Sequence, residues 1–265
     1  MTTLYDILLD TARLCGILKS GKTTTTGATN YVVDINRYET DDYFNNGTIF
    51  IRSGTYTGQT ARVIDYTQSN GYIYVAPTGS SNFCYIDAGV YYSITNENRE
   101  ALVQAINQAL FDMGECTTVD DTLSVVEDTQ VYTLPAGVSN VKRIAIANRV
   151  DDPVEYHRSY NWHEHGGKLY IDDTILQPAG NTIRLYYIKR HGEVNSDTDV
   201  IDELLDFERL SWTATYFFLR TRLQYSGNTD ERETFLLTEA KTKVDRYSRL
   251  ALPHKMERDS NLARW

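Results

Sequence analysis

The sequence predicts an α+β protein: a helical bundle of about four helices with an inserted antiparallel β-barrel or sandwich, a second β segment and an extended C-terminal tail. Three observations predict this class. Apolar residues recur at helical spacing in four segments, and turn signals separate short strand-like runs between them. Tyrosine is also unusually frequent, with 20 residues against 8 phenylalanines. Because tyrosine combines an apolar ring with a polar hydroxyl, it suits strand surfaces and protein interfaces.

Four segments carry the predicted helices. Thr3 and Asp6 have the spacing of a capping box at the start of the first helix. In the second helix, Leu102 and Ile106 belong to one apolar face. The short break after Tyr225 predicts that the last two helices form an antiparallel hairpin. The predicted helices span residues 4–15, 97–113, 202–225 and 230–250.

Strand-like runs fill the two long stretches between these helices. In the first stretch, Asn70-Gly71 predicts a tight hairpin in which both residues supply positive φ angles. Short strands at this spacing favour a small barrel or sandwich. The predicted runs are 31–35, 48–51, 60–66, 71–76 and 89–94, then 141–147, 168–172 and 182–189.

These elements give a domain scheme in four parts. The simplest tertiary arrangement packs the helices together into a bundle, with both β segments inserted between helices. The helical core is predicted from residues 1–18, 96–116 and 199–250, the inserted β module from 19–95, the second β segment from 117–198, and the extended tail from 251–265.

Charge is unevenly distributed along the chain. The formal net charge is −10, which argues against general nucleic-acid binding because phosphate contacts need clustered Lys and Arg. From Lys241 to Trp265, however, there are seven Lys or Arg residues against three Asp or Glu. This basic end on an acidic body predicts a local electrostatic partner, and a solvated helix end with a loose terminus is the alternative.

Cysteine usage and hydropathy predict a protein made and folded in the cytoplasm. Cys15, Cys84 and Cys116 are isolated and odd in number, which fits a reducing compartment better than a disulfide framework. The first residues do not have the pattern of a signal peptide. Because no run of eighteen apolar residues occurs, we expect no membrane partner.

One motif matches a nucleotide-binding pattern letter for letter. Residues 16–23, GILKSGKT, fit the P-loop pattern, in which Lys22 and Thr23 would contact phosphate and magnesium. A P-loop needs a buried strand before it and a helix after it. Here a predicted helix precedes the motif and a threonine-rich run follows it, so the context disfavours a P-loop NTPase.

Histidines and acidic pairs offer weaker candidates for chemistry. His163 and His165 would lie on one face of a strand, as two metal ligands do, but a third ligand at a recognisable spacing does not follow. Acidic pairs such as Asp120-Asp121 lie beside turns, where carboxylates usually bind local backbone. The sequence therefore predicts no metal, no cofactor and no catalytic residue.

Two sequence segments resemble parts of virion proteins of tailed bacteriophages. Residues 47–66, GTIFIRSGTYTGQTARVIDY, with the approach to them from Asp34, resemble a β module that recurs in such particles. Residues 162–171, WHEHGGKLYI, and then 183–187, IRLYY, resemble segments of phage neck and head-completion proteins. Each segment is a pattern of turns and strands without an invariant catalytic residue.

The resemblance implies a head-to-tail adaptor of the phage neck, a structural protein and not an enzyme. Such adaptors form rings of identical subunits, dodecamers by resemblance, that dock beneath the portal protein, bridge to the tail or a second neck protein, and pass DNA without sequence-specific binding. In this family a C-terminal segment commonly reaches into the portal. The residues expected to bind the portal are His254, Lys255, Met256, Arg258, Leu262, Arg264 and Trp265.

Two alternatives remain open. A tail, fibre-attachment or decoration protein of the virion would share the tyrosine-rich β content, and the β insert is larger than a minimal adaptor needs. An enzyme, either a P-loop NTPase or a metal hydrolase, is the alternative from another class.

Overall fold

The chain folds into two compact units of mixed α and β structure. A computed structural model describes residues 2–28, 30–77, 86–147, 156–159, 161–171, 179–201, 205–226 and 230–250. The first unit combines Met1–Met113 with Glu193–Trp265, and the second is Gly114–Gly192. Within the described ranges there are four helices, and every strand pair is antiparallel. The predicted α+β class is therefore confirmed, whereas the predicted domain limits stay a prediction.

The first unit begins with helix α1 (Leu4–Leu14) and continues into a seven-stranded antiparallel sheet. Thr3 and Asp6 cap α1 as predicted, because the Thr3 backbone N–H donates to the Asp6 carboxylate at 2.9 Å. The strands of the sheet are β1 (Lys19–Lys22), β2 (Thr25–Ala28), β3 (Tyr31–Val33), β4 (Thr48–Ile51), β5 (Gln59–Thr67), β6 (Tyr72–Pro77) and β7 (Tyr91–Thr95).

This sheet curls into a half-barrel, because its two outer strands are neighbours in the chain. The strand order is β1-β7-β4-β5-β6-β3-β2. The link between β1 and β2 bonds to both ends of the sheet: Thr23 N–H donates to the Val90 carbonyl, and Thr24 N–H donates to the Val33 carbonyl, each at 2.9 Å. The concave side encloses an apolar cluster. It includes Val32, Phe44, Ile49, Ile51, Val63, Tyr66, Ile73, Val75, Tyr92 and Ile94.

The predicted hairpin connects β5 and β6, although its turn differs from the expectation. Gly71 has a φ of 67°, within the left-handed region, but Asn70 is not among the described residues with positive φ. The Asn70 side chain instead accepts the Tyr72 N–H at 3.0 Å. The loop is thus longer than a two-residue hairpin, with one positive φ angle rather than two.

Three further helices complete the first unit: α2 (Arg99–Met113), α3 (Phe207–Ser226) and α4 (Glu231–Leu250). Helices α1, α2 and α3 contribute to one apolar core, and Leu236 and Leu237 of α4 pack against it. The start of α3 was predicted too early. Asp206 accepts the N–H groups of Glu208 and Arg209, at 2.9 and 3.1 Å, so the helix begins after this cap.

The second unit consists of two small antiparallel sheets around a shared apolar cluster. Its strands are β8 (Glu115–Ser124), β9 (Val131–Thr133), β10 (Val141–Ala147), β11 (Tyr156–Ser159), β12 (Trp162–His165), β13 (Lys168–Ile171) and β14 (Thr182–Arg190). The four-stranded sheet has the order β11-β10-β14-β8, and the three-stranded sheet has the order β12-β13-β9. The predicted strands at 141–147, 168–172 and 182–189 correspond to β10, β13 and β14.

A buried ion pair joins three parts of the first unit. Arg99, at the start of α2, contacts the Asp197 carboxylate at 2.8 Å. The same carboxylate accepts the N–H of Thr60 on β5 at 2.6 Å. Arg99 Nε donates to the Thr60 hydroxyl at 3.0 Å. All three residues are buried, with exposed fractions of 8% for Arg99, 7% for Asp197 and 0% for Thr60. Each charge is therefore stabilised by its partner rather than by water.

Replacing Arg99 with Met should lower the free energy of unfolding of the first unit by about 3–5 kcal/mol, because Asp197 would stay buried without its cation. Denaturant unfolding followed by circular dichroism measures the loss. Arg13→Met is the control: the Arg13–Asp10 pair is exposed, and its removal should cost less than about 1 kcal/mol. Equal losses in the two variants would contradict the role given to the buried pair.

Candidate interaction surface

The residues predicted to bind the portal lie outside the part of the chain that the structure describes. This applies to all seven of them: His254, Lys255, Met256, Arg258, Leu262, Arg264 and Trp265. Their role stays a prediction, and the structure-based candidates come from the described residues.

The P-loop match falls on a β-strand and its continuation. Residues 19–22 form β1, which pairs with β7. The Lys22 ammonium lies 5.1 Å from the centre of the Tyr91 ring. The Thr23 hydroxyl donates to the Asp87 carbonyl at 2.6 Å and accepts the Val90 N–H at 2.8 Å. Residues 19–23 of the motif therefore bond to the sheet rather than form a loop that curls around an anion.

Gly21 of this motif has a packing role. A Cβ atom at this position would lie 2.4 Å from the Tyr92 ring. Tyr92 donates to Asp34 at 2.6 Å and accepts from Arg37 Nε at 2.8 Å. Burial raises the pKa of Tyr92 well above its usual range, so the hydroxyl stays protonated as the donor to Asp34. The glycine is thus required by the close approach of a buried aromatic ring.

The other candidates for chemistry are engaged in packing or local bonds. His163 stacks on Tyr170, with ring centres 4.7 Å apart. Glu164 accepts the Val141 N–H at 2.8 Å. A group of three potential metal ligands does not occur among the residues described. Cys15 is buried, and burial raises the pKa of its thiol to about 12, so it is not a thiolate at neutral pH.

A groove lies between α2 and α3 in the first unit and is here called the α2–α3 groove. Its volume is about 570 Å³. Helix α2 contributes one side at a spacing of i, i+3, i+4 and i+7, and α3 contributes two phenylalanine rings to the other side. The side chains along the two helices are Ala101, Gln104, Ala105, Gln108, Phe217, Phe218 and Thr221.

Arg222 holds one end of the α2–α3 groove. Its guanidinium contacts Glu97 at 2.7 Å, just before α2, and Glu233 at 3.0 Å, in the first turn of α4. The Arg222 side chain is 30% exposed to solvent. It therefore connects three helices at the surface, where water and salt screen the charges.

The outer side of α2 is acidic and carries an exposed aromatic ring. Glu100 and Asp112 are exposed, and Arg99, the one basic residue of this helix, is buried in its ion pair. Phe111 is 63% exposed, and it follows Gln104 and Gln108 at helical spacing along the same stripe. An apolar groove bordered by acidic residues and continued by an exposed ring is typical of a protein interface.

The α2–α3 groove was not predicted from the sequence. The predicted apolar face of α2 lies in the core, and the sequence pattern gave no assignment to the neighbouring stripe of Ala101, Gln104 and Gln108. The available signal was Phe111, a large apolar residue that continues this second stripe.

Comparisons with known proteins do not assign a family. Neither the protein-family models nor the curated proteins give a match. Among solved structures, the chain is similar to the regulatory domain of Toxoplasma gondii PKA in co-crystal with cAMP. The identity is 9%, the similarity covers 84% of this chain and 96% of that chain, and the TM-score is 0.22. Similarity at this level carries no argument about fold or function. In the described ranges, no helix is long and apolar enough to cross a membrane.

Arg222→Ala should lower the free energy of unfolding by about 0.5–1 kcal/mol at low salt, because both ion pairs are partly exposed. The difference from the unsubstituted protein should shrink in about 1 M salt, where charges are screened within about 3 Å. Urea unfolding at both salt concentrations measures this. Arg222→Lys keeps the charge and should lose less; a salt-independent loss would mean that Arg222 acts by packing.

Proposed function

We propose that this chain is a structural protein of a tailed-phage particle, a head-to-tail adaptor that forms a ring beneath the portal and bridges to the tail. The α2–α3 groove is the observation that carries the proposal. A ring requires each copy to offer two different complementary surfaces, and an open groove on the helical part of the chain meets one half of that requirement.

The arrangement of the helices supports the same proposal. Helices α1, α2 and α3 share a core, and α4 packs against it. In the proposed ring these four helices form a bundle that serves as the ring body. The half-barrel enters the chain between α1 and α2, and the second unit enters between α2 and α3. Both β segments thus enter the chain between helices of the proposed ring body.

The distribution of charge fits a ring that passes DNA. The exposed charges of α2 are acidic, and a surface without cations gives phosphates no partner. The basic end of the chain has the opposite sign. We propose that residues 254–265 bind the portal, with Leu262 and Trp265 as apolar anchors.

A decoration or tail-attachment role is the second candidate, and exposed tyrosines on the half-barrel favour it. Tyr38, Tyr43 and Tyr91 are 84%, 40% and 56% exposed. Tyrosine in this setting suits a protein contact. In the proposed adaptor, the same surface contacts the tail or a second neck protein.

The substitution Lys22→Ala distinguishes the adaptor proposal from the alternative of a P-loop NTPase. The Lys22 side chain contacts the Tyr91 ring, so its removal should leave the assembly of the protein unchanged. Binding of ATP with magnesium, measured by calorimetry, should be undetectable both before and after the substitution. ATP binding that is lost in Lys22→Ala would contradict the structural role.

The adaptor itself is tested by cryo-electron microscopy of particles that contain this chain. We expect a ring between portal and tail, with each α2–α3 groove covered by a neighbouring copy and residues 254–265 on the portal. Ala101→Trp should fill the groove and yield particles without the ring, because the added indole occupies the contact. Ala136→Trp, the same change in an exposed turn of the second unit, should leave the ring intact.

Other locations would contradict the proposal in different ways. Density on a fibre or on the capsid shell would keep a virion role and exclude the neck. Absence of the chain from the particle would exclude both roles and favour the enzyme alternative.

A further inference from the structure

We propose that the C-terminal segment of this chain, residues 251–265, occupies the α2–α3 groove of its own copy before the ring assembles, and that it leaves the groove before a neighbouring copy enters. This inference rests on the proposed function, in which the groove receives a neighbour and residues 254–265 bind the portal. It goes beyond that function because it names what covers the groove in the unassembled chain. The helices concerned all belong to the first unit.

The α2–α3 groove has the size and lining of a site for apolar side chains. Its volume of about 570 Å³ falls within the range of about 300–1,000 Å³ that is usual for ligand pockets. Phe217 and Phe218 contribute aromatic rings to it. Gln104 and Gln108 line the α2 side, where their amides can donate to and accept from the backbone of a bound segment. The groove thus suits a chain segment that carries large apolar side chains.

Carboxylates continue the α2 side of the groove in both directions. Glu100 lies four residues before Gln104, and Asp112 lies four residues after Gln108, so both belong to the helical stripe that lines the groove. Both residues are exposed. Among the described residues, the ion pairs of the first unit involve neither of these two carboxylates. The borders of the groove therefore attract a segment with cationic residues.

Helix α4 brings the C-terminal segment to one end of this groove. Near its end, α3 is joined through Arg222 to the start of α2 and to the start of α4, so α3 runs antiparallel to both helices. Towards the other end of the hairpin, the Lys243 ammonium of α4 lies 5.5 Å from the centre of the Trp212 ring of α3. Leu250, the last residue of α4, therefore lies at the end of the groove that is away from Arg222.

The C-terminal segment is long enough to follow the whole groove. Residues 251–265 span up to about 50 Å when they are extended. Helix α2 has 15 residues and is therefore about 22 Å long. The segment can thus cross from α4 to Asp112 with its first residues and still run back along α2 as far as Ala101.

The residues of the segment match the groove in the order in which they meet it. Lys255 and Arg258 come first, so they lie beside Asp112 in the proposed arrangement. Leu262 and Trp265 come last, so they reach the part of the groove that is lined by the two phenylalanine rings. Burial of these two side chains supplies most of the affinity. The cations favour the direction in which the segment lies.

A single occupant of the groove links assembly to the portal. The groove holds either the C-terminal segment or a neighbouring copy, because both use the same space. A segment that is part of the same chain has an effective concentration on the order of mM, so it competes well against other copies in dilute solution. Binding of residues 254–265 to the portal removes this competitor. Copies therefore join one another on the portal rather than in free solution.

Disulfide formation within the full-length chain tests the occupant. Serine first replaces Cys84 and Cys116, and Gln104→Cys is then combined with Leu262→Cys. In dilute solution we expect an intramolecular disulfide to form at least about tenfold faster than in the control, because docking holds the two thiols together. The control combines Thr242→Cys with Leu262→Cys. Thr242 is exposed on α4 and closer in sequence to the segment, so random encounters favour the control. Mass spectrometry of the oxidised chain measures both rates.

Alkylation of Leu262→Cys by a thiol reagent gives the matched measurement. Ala101→Trp fills the groove and should raise the alkylation rate, whereas Ala136→Trp, in an exposed turn of the second unit, should not. Asp112→Lys should raise the rate by about two- to fivefold, since an exposed charge pair is lost. Adding Lys255→Glu to Asp112→Lys should restore the slow rate, which damage to the fold would not do.

The outcomes separate the occupant of the groove from the adaptor role. Equal rates of disulfide formation at the two positions would overturn the inference and leave the adaptor proposal standing. Disulfides between copies would also overturn it, since the segment would then come from a neighbour. A chain locked by the disulfide should stay out of the ring until it is reduced, and a locked chain that enters the ring would overturn the required release. A selective intramolecular disulfide in a chain that is absent from particles would support the occupant and overturn the adaptor.

Discussion

The buried contact of Arg99, Asp197 and Thr60 is the interaction on which the first unit depends. These residues belong to α2, to the segment before α3 and to β5, which are far apart in sequence. A buried charge is tolerated only when its partner and its hydrogen bonds are in place. The contact therefore requires that the half-barrel, the second helix and the return of the chain from the second unit are all correctly formed. Without it, the α2–α3 groove would lose the fixed start of one of its helices.

Residues 16–23 show that pairing in the sheet, rather than the local sequence motif, determines the backbone conformation of this segment. Residues 16–23 contain the letters of a P-loop, yet β7 and Arg37 occupy the environment of this segment: Lys19 faces Ile94 in register, and Arg37 donates to the Lys19 carbonyl at 3.4 Å. The backbone N–H and C=O groups at the two ends of the seven-stranded sheet need hydrogen-bond partners. The link between β1 and β2 supplies such hydrogen bonds at both ends of the sheet. Gly21 fits because little space remains beside Tyr92.

Apolar periodicity predicted the parts of the fold that bury apolar side chains. The four helices and strands such as β4, β10 and β14 were predictable because their own residues carry the 3.6- or 2-residue period. Strands β1 and β2 were not, since KSGK and TTGA contain no alternation of large apolar residues. They are in the sheet because they pair with β7 and β3. The α2–α3 groove was hidden for a related reason: alanine and glutamine lining a groove look the same in sequence as alanine and glutamine on an open helix surface.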